Sequence, residues 1–147
     1  MSGSLDQDLS LGILIYSDRG ISETVELAKL SESLGCNYFW YTDVRFAREC
    51  YVVLGSIASA TKNILLAPGV TDPYSRHPAL TAAAIATLDE ISNGRAVLGL
   101  GVGAAGFKEL GITPALPIAA MREAITVFRG LLAGGEVTVD GKVISLE

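Results

Sequence analysis

Four short apolar runs, separated by segments with helical spacing, constrain the fold of this chain most strongly. The clearest part is the stretch from Leu65 to Gly106, which reads as strand, polar loop, helix and strand. Strands that alternate with helices form parallel sheets with right-handed crossovers. We therefore predict four parallel strands in the spatial order 1-2-3-4, at Gly12–Tyr16, Tyr38–Thr42, Ile64–Ala67 and Ala96–Leu100.

The segments between these runs have the spacing of amphipathic helices. Ser22 is a suitable N-cap for the first helix, and Gly35 is a suitable stop. Near the C-terminus, alternating residues around Asp140-Gly141 predict a β-hairpin. The predicted buried stripes are Leu27, Leu30 and Leu34 in the first helix, Leu80, Ala84, Leu88 and Ile91 in the third, and Ile118, Met121, Ile125, Phe128 and Leu132 in the fourth.

Two α/β architectures accommodate four consecutive strand–helix units. One is an open, doubly wound sheet, and the other is half of a (β/α)₈ barrel. A complete barrel takes about 250 residues, so a chain of 147 residues would supply half of one. We expect a single domain over residues 1–147, with residues 1–10 disordered.

Charge and composition argue against several classes of function. A net charge of -5, without a cluster of lysine or arginine, argues against nucleic-acid binding. No apolar run reaches the ~20 residues that span a bilayer, and the polar, acidic N-terminus is unlike a signal peptide. Cys36 and Cys50 read as buried thiols of a reduced, cytoplasmic protein. Because His77 is the single histidine and no close cysteine pair exists, we expect no metal site.

The residues from Gly101 to Gly106 match the pattern G-x-G-x-x-G directly after a predicted strand, as a dinucleotide-binding loop would. The context differs, because the motif follows the fourth strand and not the first. In addition, Pro114 and Pro117 interrupt the segment in which the phosphate-binding helix would begin. We therefore favour a flexible glycine loop that lets a ligand approach the backbone.

Three positions at predicted strand ends have both a structural and a functional interpretation. Asp43 either caps the second helix or pairs with Arg45 or Arg48, or it is a polar group at the mouth of the sheet, where parallel α/β folds bind ligands. Gly69-Val70-Thr71 is either a turn or a backbone bulge that faces a ligand. His77 is interpreted as a capping residue in preference to a general base.

Three segments carry a resemblance to a known family, namely Phe39–Asp43, Ala67–Ala79 and Ala86–Gly101. They resemble the bacterial luciferase-like superfamily, and within it the methylenetetrahydromethanopterin reductases that use the deazaflavin coenzyme F420. The similarity extends from about Gly12 to Gly141. It implies the N-terminal half of a TIM-type (β/α)₈ barrel, with a deazaflavin or flavin at the C-terminal mouth of the strands.

The resemblance also implies roles for residues at this mouth. In the family, a bulge after the third strand contains a cis peptide bond without proline and lies behind the tricyclic ring. Many deazaflavin-dependent relatives have histidine directly after the aspartate that ends strand two, whereas Val44 stands there in this chain. The implied catalytic residue is Asp43, and the implied cofactor-binding residues are Thr42, Gly69, Val70, Thr71, Gly101 and Gly103.

The expected function is that of an oxidoreductase that transfers hydride between a reduced deazaflavin and a pterin-like or other small substrate. One alternative is an FMN-dependent luciferase-like monooxygenase, and another is an inactive half-barrel that self-associates. Open sheet edges recruit other strands, and the inner sheet face, with Leu14, Phe39, Leu65 and Val97 as examples, would lack an opposite wall. We therefore expect a homo-oligomer, and a second copy that completes the barrel is one arrangement.

Overall fold

The computed structural model describes residues 9–103 and 106–147. The expected disorder of residues 1–10 concerns mainly residues 1–8, which lie outside the described residues. Among the described helices, none is both long enough and apolar enough to cross a bilayer. The elements are β1 (Gly12–Ile15), α1 (Ile21–Ser33), β2 (Tyr38–Tyr41), α2 (Cys50–Ala60), β3 (Leu65–Pro68), α3 (Pro78–Ser92), α4 (Pro117–Leu132), β4 (Val139–Asp140) and β5 (Ser145–Leu146).

Strands β1, β2 and β3 form a parallel sheet in this order, which confirms the predicted order of the first three strands. The predicted fourth strand, Ala96–Leu100, also runs parallel to β3, but it forms only two isolated bridges, Leu66–Ala96 and Thr71–Leu100. Between these bridges β3 and the residues that follow it advance five positions, while the facing segment advances four. The one extra residue forms a bulge after β3, which interrupts the regular ladder that the sequence predicted.

The two faces of the sheet have different surroundings, because side chains alternate along each strand. Phe39 and Tyr41 face the helices and are fully buried, together with Leu54 and Ile57 of α2. The prediction that Phe39 lies on the inner face was wrong, because Phe39 is in register with Ile13, which packs against the same helical layer. The inner face presents Leu14, as predicted, together with Trp40 and Ala67, and the three residues are aligned across the strands.

Helices α1 and α4 stand at the two ends of the row of helices, since α1 packs on α2 and α4 packs on α3. Helix α1 buries only small side chains, whereas α4 buries two alanines together with the larger Val127 and Phe128. The predicted leucine stripe of α1 was wrong, because Leu30 and Leu34 are 52% and 71% exposed. In α4 the predicted Phe128 is buried, but Ile118, Ile125 and Leu132 are exposed. The residues that are buried are Thr24, Ala28 and Ser31 in α1, and Ala120, Ala124, Val127 and Phe128 in α4.

The C-terminal hairpin was predicted correctly. Strands β4 and β5 pair antiparallel, with Val139 opposite Leu146 and Asp140 opposite Ser145. The carboxylate of Glu123 on α4 accepts hydrogen bonds from three consecutive backbone N–H groups of the turn, at residues 142–144. The N–H of Ile144, followed by those of Lys142 and Val143, lowers the pKa of Glu123. Helix α4 and the hairpin are therefore joined by polar as well as apolar contacts.

A second glutamate binds the backbone in the same manner at the N-terminal end of the sheet. The carboxylate of Glu32 on α1 accepts hydrogen bonds from the N–H groups of Lys62, Asn63 and Ile64, at 2.9, 2.6 and 2.9 Å. Partial burial by itself raises the pKa of Glu32. These three donors, with the nearby charge of Arg95, outweigh burial and hold the pKa below its ordinary value. The carboxylate thus fixes the entry of the chain into β3.

Candidate functional site

The predicted site residues lie at the C-terminal ends of the parallel strands. Thr42 follows β2, Gly69 and Val70 follow β3, and Gly101 follows the fourth parallel segment. Backbone hydrogen bonds join neighbouring ends, from Gly69 N to Tyr41 O at 2.8 Å and from Gly101 N to Thr71 O at 2.9 Å. The structure therefore brings these segments together at one edge of the sheet, which is called the mouth below.

The bulge after β3 was predicted correctly. The peptide bond between Gly69 and Val70 is cis, and the Val70 side chain is 43% exposed at the mouth. A Cβ atom at Gly69 would lie 2.8 Å from Leu14 Cδ1, and one at Gly101 would lie 2.7 Å from Val70 Cγ2. Both glycines therefore leave room for neighbouring apolar side chains that a larger residue would displace.

Below the bulge, the inner face of the sheet is formed around Trp40, the single tryptophan of the chain. Its indole stacks with Tyr38, with ring centroids 6.1 Å apart. A Cβ atom would lie within 3.4 Å of Trp40 atoms at each of Gly12, Gly69 and Gly99. Sequence reasoning did not predict this aromatic floor. The signals in the sequence are the alternating aromatic residues Tyr38 and Trp40, with one glycine in β1, one after β3 and one in the fourth parallel segment.

The side chains of Thr42 and Thr71 are both buried. The Thr42 hydroxyl accepts a hydrogen bond from Ser17 N at 2.9 Å and thereby links the loops after β1 and β2. Thr71 is 1% exposed, and its hydroxyl lies beside that of Tyr51 on α2 without reaching hydrogen-bond geometry. Burial raises the pKa of Tyr51, and the Thr71 hydroxyl offsets only part of that rise. Any contact of Thr71 with a ligand at the mouth would therefore involve its backbone.

Asp43 is partly buried and lines a crevice of about 270 Å³ at the mouth, together with Val44, Arg48 and Arg76. It does not cap α2 in the structure, because the Glu49 carboxylate accepts the hydrogen bond from Val52 N at 2.8 Å. The Arg48 guanidinium donates to the backbone oxygen of Ser17 at 3.1 Å. Asp43 therefore lies at the mouth, near the charge of Arg45, and its role as a site residue stays a prediction.

Arg45 joins the loops that follow β2 and β3. Its guanidinium forms an ion pair with the carboxylate of Asp72, which is 3% exposed, and donates to Ser75 Oγ at 3.1 Å. Burial lowers the pKa of Arg45, and the nearby charge of Asp43 opposes this effect. Sequence reasoning considered Arg45 only as a partner of Asp43, because the distance from Arg45 to Asp72 along the chain conceals the pair.

His77 is a helix cap, as the structural interpretation held. Its Nδ1 accepts a hydrogen bond from Ala79 N at 3.2 Å, and its Nε2 lies 3.1 Å from the backbone oxygen of Ser145 in the hairpin. The glycine motif is described in part, because residues 104 and 105 lie outside the described residues. Gly103 and Gly106 both adopt positive φ angles, as an irregular glycine loop requires.

Comparison with known protein families identifies the family to which the chain belongs. The family model described as luciferase-like monooxygenase matches residues 7–147. The chain therefore belongs to the luciferase-like monooxygenase family.

Among individual relatives, 5,10-methylenetetrahydromethanopterin reductase of Archaeoglobus fulgidus is 43% identical over 136 residues, which are 92% of this chain and 41% of the relative. The enzyme of the same name from Methanolobus tindarius is 41% identical, over 92% of this chain and 42% of the relative. The chain thus spans less than half the length of these curated relatives, which agrees with the expectation of a half-barrel.

Solved structures show the same relationship. The coenzyme F420-dependent tetrahydromethanopterin reductase from Methanopyrus kandleri superposes with a TM-score of 0.89 at 35% identity, over 95% of this chain and 44% of that one. The FMN complex of the oxygenating constituent of 3,6-diketocamphane monooxygenase from Pseudomonas putida gives a TM-score of 0.81 over 94% of this chain and 43% of that one. At 21% identity the second likeness concerns the fold alone.

Proposed function

We propose that this chain contributes the mouth of an oxidoreductase in which hydride passes between a reduced deazaflavin and a pterin-like or other small substrate. The observation that carries the proposal is the bulge after β3, where the exposed Val70 stands between the two glycines, Gly69 and Gly101. A flat, largely apolar ring fits such a wall, which offers a side chain and backbone without bulky neighbours. The coenzyme F420-dependent reductase from Methanopyrus kandleri, which resembles this chain at 35% identity, favours the deazaflavin.

The residues of the mouth have distinct proposed roles. Val70 and the backbone of Gly69 and Thr71 would lie against the ring, and the glycine loop at Gly101 and Gly103 would border it. Thr42 would act through its hydrogen bond to Ser17, by fixing the ends of β1 and β2. When bound, the deazaflavin supplies the hydride, and the protein supplies orientation and exclusion of water.

We propose Asp43 as the catalytic residue of this site. Its carboxylate is partly buried beside the guanidinium groups that line the same crevice. A carboxylate at this place can accept a hydrogen bond from an N–H or O–H group of the substrate and orient it toward the cofactor. Val44, which stands where many deazaflavin-dependent relatives have histidine, offers no proton, so proton transfer is not assigned to that position.

FMN is the alternative cofactor, with monooxygenase chemistry as the alternative reaction. Its support is the shared fold with the FMN-containing monooxygenase. The third candidate is an inactive half-barrel that self-associates, and the exposed apolar surface at Leu14 and beside α4 supports its self-association. A cytoplasmic location is proposed as well, in line with Cys36 and Cys50, which are both free thiols.

Titration of the purified chain with deazaflavin and with FMN tests the cofactor assignment. Because Trp40 lies on the inner face below the bulge, we expect the deazaflavin to quench its fluorescence with a lower Kd than FMN. Asp43→Asn should change this Kd by less than about threefold but slow single-turnover hydride transfer by about 10- to 100-fold, the cost of misorienting a substrate.

The matched control is Glu90→Gln, which makes the same carboxylate-to-amide change in the last turn of α3, at the opposite end of the sheet. It should leave both quantities unchanged. Absence of binding by either cofactor would refute the proposed function for this chain. A rate for Asp43→Asn equal to that of the parent chain would remove Asp43 from the mechanism.

We also propose that the chain self-associates. Leu14 on the inner face is 47% exposed, and a groove of about 550 Å³ lies between Leu98 and Leu100 on one side and the exposed stripe of α4 on the other. Exposed apolar surface of this kind is typical of interaction sites. A second copy of the chain is the occupant we propose, with completion of the barrel as the arrangement.

Light scattering at micromolar concentration should therefore show a dimer or larger species. Ile125→Asp, which places a charge in the groove, should shift the equilibrium toward monomer, whereas Val52→Asp on the outer face of α2 should not. Self-association that covers the inner face should also move the Trp40 emission to shorter wavelength. A parent chain that stays monomeric at this concentration would contradict the proposal.

A further inference from the structure

A compact cluster at the mouth, here called the mouth junction, consists of Arg45, Asp72, Ser75 and Phe107. Its first half is polar. Asp72 accepts hydrogen bonds from the N–H groups of Tyr74 and Ser75, both at 2.8 Å, and from Ser75 Oγ at 2.7 Å. This turn presents the carboxylate to the Arg45 guanidinium. Little water reaches the pair, since the side chain of Arg45 is 13% exposed and that of Asp72 is 3% exposed. The loop after β2 is thereby fastened to the loop after β3.

The second half of the junction is aromatic. The guanidinium carbon of Arg45 lies 4.4 Å from the ring centroid of Phe107, which is 8% exposed. The Phe107 ring also contacts Tyr74 edge-on, with centroids 5.8 Å apart. A buried cation over an aromatic face is attracted by the negative charge of the ring face. Arg45 therefore fastens the glycine-rich loop as well, because Phe107 belongs to that loop.

Two glycines near Phe107 in the chain, Gly103 and Gly106, pack closely against the side chain of Arg45. A Cβ atom at Gly106 would lie 2.8 Å from Arg45 Cδ, and one at Gly103 would lie 3.1 Å from Arg45 Nη2. Both residues also have positive φ angles, at which a side chain would be strained. The loop backbone thus packs directly on the arginine side chain, and the two glycines permit this approach.

We infer that Arg45 is a positioning residue, which holds the glycine-rich loop against the loop after β3 so that Gly101, Gly103 and Val70 are preorganised for the ligand of the mouth. For the identity of that ligand, the inference rests on the proposed function. Arg45 acts through other residues, since its guanidinium is occupied by Asp72, Ser75 and Phe107. A loop that is ordered before binding spares the ligand the cost of ordering it.

Two variants test the inference. Arg45→Met removes the charge and the cation–π contact, and we expect a Kd for the deazaflavin at least about tenfold higher. The rate of hydride transfer at saturating deazaflavin should stay within about threefold, because no reacting group is lost. Arg45→Lys keeps the charge but lacks the planar face for stacking, so its Kd should be intermediate.

A second readout does not depend on the cofactor. Hydrogen exchange of the backbone amides at residues 106–112 should accelerate at least about tenfold in cofactor-free Arg45→Met, because contacts that restrain the loop are lost. Arg19→Met, which removes an exposed arginine that pairs with Glu23 on α1, is the matched control. It should change neither the Kd for the deazaflavin nor the exchange rate at residues 106–112.

The outcomes separate the two proposals. Faster exchange in Arg45→Met, in a chain that binds neither deazaflavin nor FMN, would support the junction and refute the proposed function. Unchanged exchange at residues 106–112 would overturn the inference. The inference would also be overturned if Arg45→Met lowered the rate of hydride transfer at saturating deazaflavin by as large a factor as it raised the Kd. Arg45 would then act on the reaction itself.

Discussion

Replacement of Arg95 by methionine is expected to lower the free energy of unfolding by about 3 to 5 kcal/mol, because several buried oxygens would lose their donor, at about 1 to 3 kcal/mol for each group left unsatisfied. Arg95 is 7% exposed although it is an arginine. Its guanidinium donates to Ala58 O, Thr61 O, Thr61 Oγ1 and Ile64 O at 2.9 to 3.1 Å, and to Ser92 O at 2.7 Å.

The large effect follows from the positions of the oxygens that accept hydrogen bonds from Arg95. They belong to the C-terminal ends of α2 and α3 and to Ile64, directly before β3, so one side chain satisfies carbonyl groups of three segments. Helix C-termini carry partial negative charge, which favours a cation there. Burial lowers the pKa of Arg95, and the charge of Glu32 opposes this. In the methionine variant the carbonyl groups would remain buried without these donors.

Urea unfolding followed by circular dichroism measures the change. Arg95→Lys should be intermediate, because an ammonium group reaches fewer of the oxygens than a planar guanidinium. The control Arg19→Met should stay within about 0.5 kcal/mol of the parent chain, as for other surface positions. A loss below about 1 kcal/mol in Arg95→Met would contradict this account of the network.

Gly99→Ala is expected to destabilise the chain by about 3 kcal/mol, or to prevent folding, because overpacking against a rigid neighbour cannot be relieved by a change of rotamer. A Cβ atom at Gly99 would overlap the backbone oxygen of Pro68 and approach Trp40 Cζ3 to 2.7 Å. The substitution would push the fourth parallel segment away from the bulge, and Thr71 N would lose its hydrogen bond to Gly99 O.

The matched control is the same substitution at Gly55, in the interior of α2. A Cβ atom there meets no other atom within 4 Å. Alanine is favoured over glycine in a helix interior by about 1 kcal/mol, so Gly55→Ala should stabilise the chain. Opposite signs for the two variants in one urea series are the expected result. Equal changes in the free energy of unfolding would show that the close approach of Gly99 to Pro68 and Trp40 has no effect on stability.

Local signals in the sequence determined much of the fold. Apolar runs with glycine and proline at their ends predicted the first three strands, and Asp140-Gly141 predicted the hairpin, because strand and turn preferences depend on neighbouring residues. The location of the candidate site followed as well, since the C-terminal ends of parallel strands meet at one edge of a sheet. The bulge at Gly69-Val70 was predicted from resemblance to the family and not from periodicity.

Only the tertiary structure decided which apolar faces are covered and which polar groups meet. Leucine spacing in α1 predicts a stripe, but Thr24, Ala28 and Ser31 are buried because α2 approaches through that side. The pairing of Arg45 with Asp72 and Phe107 joins three loops that are distant along the chain. Local sequence sets the period of a helix or strand, whereas the side that is buried and the partner of each charge depend on neighbours that only folding brings together.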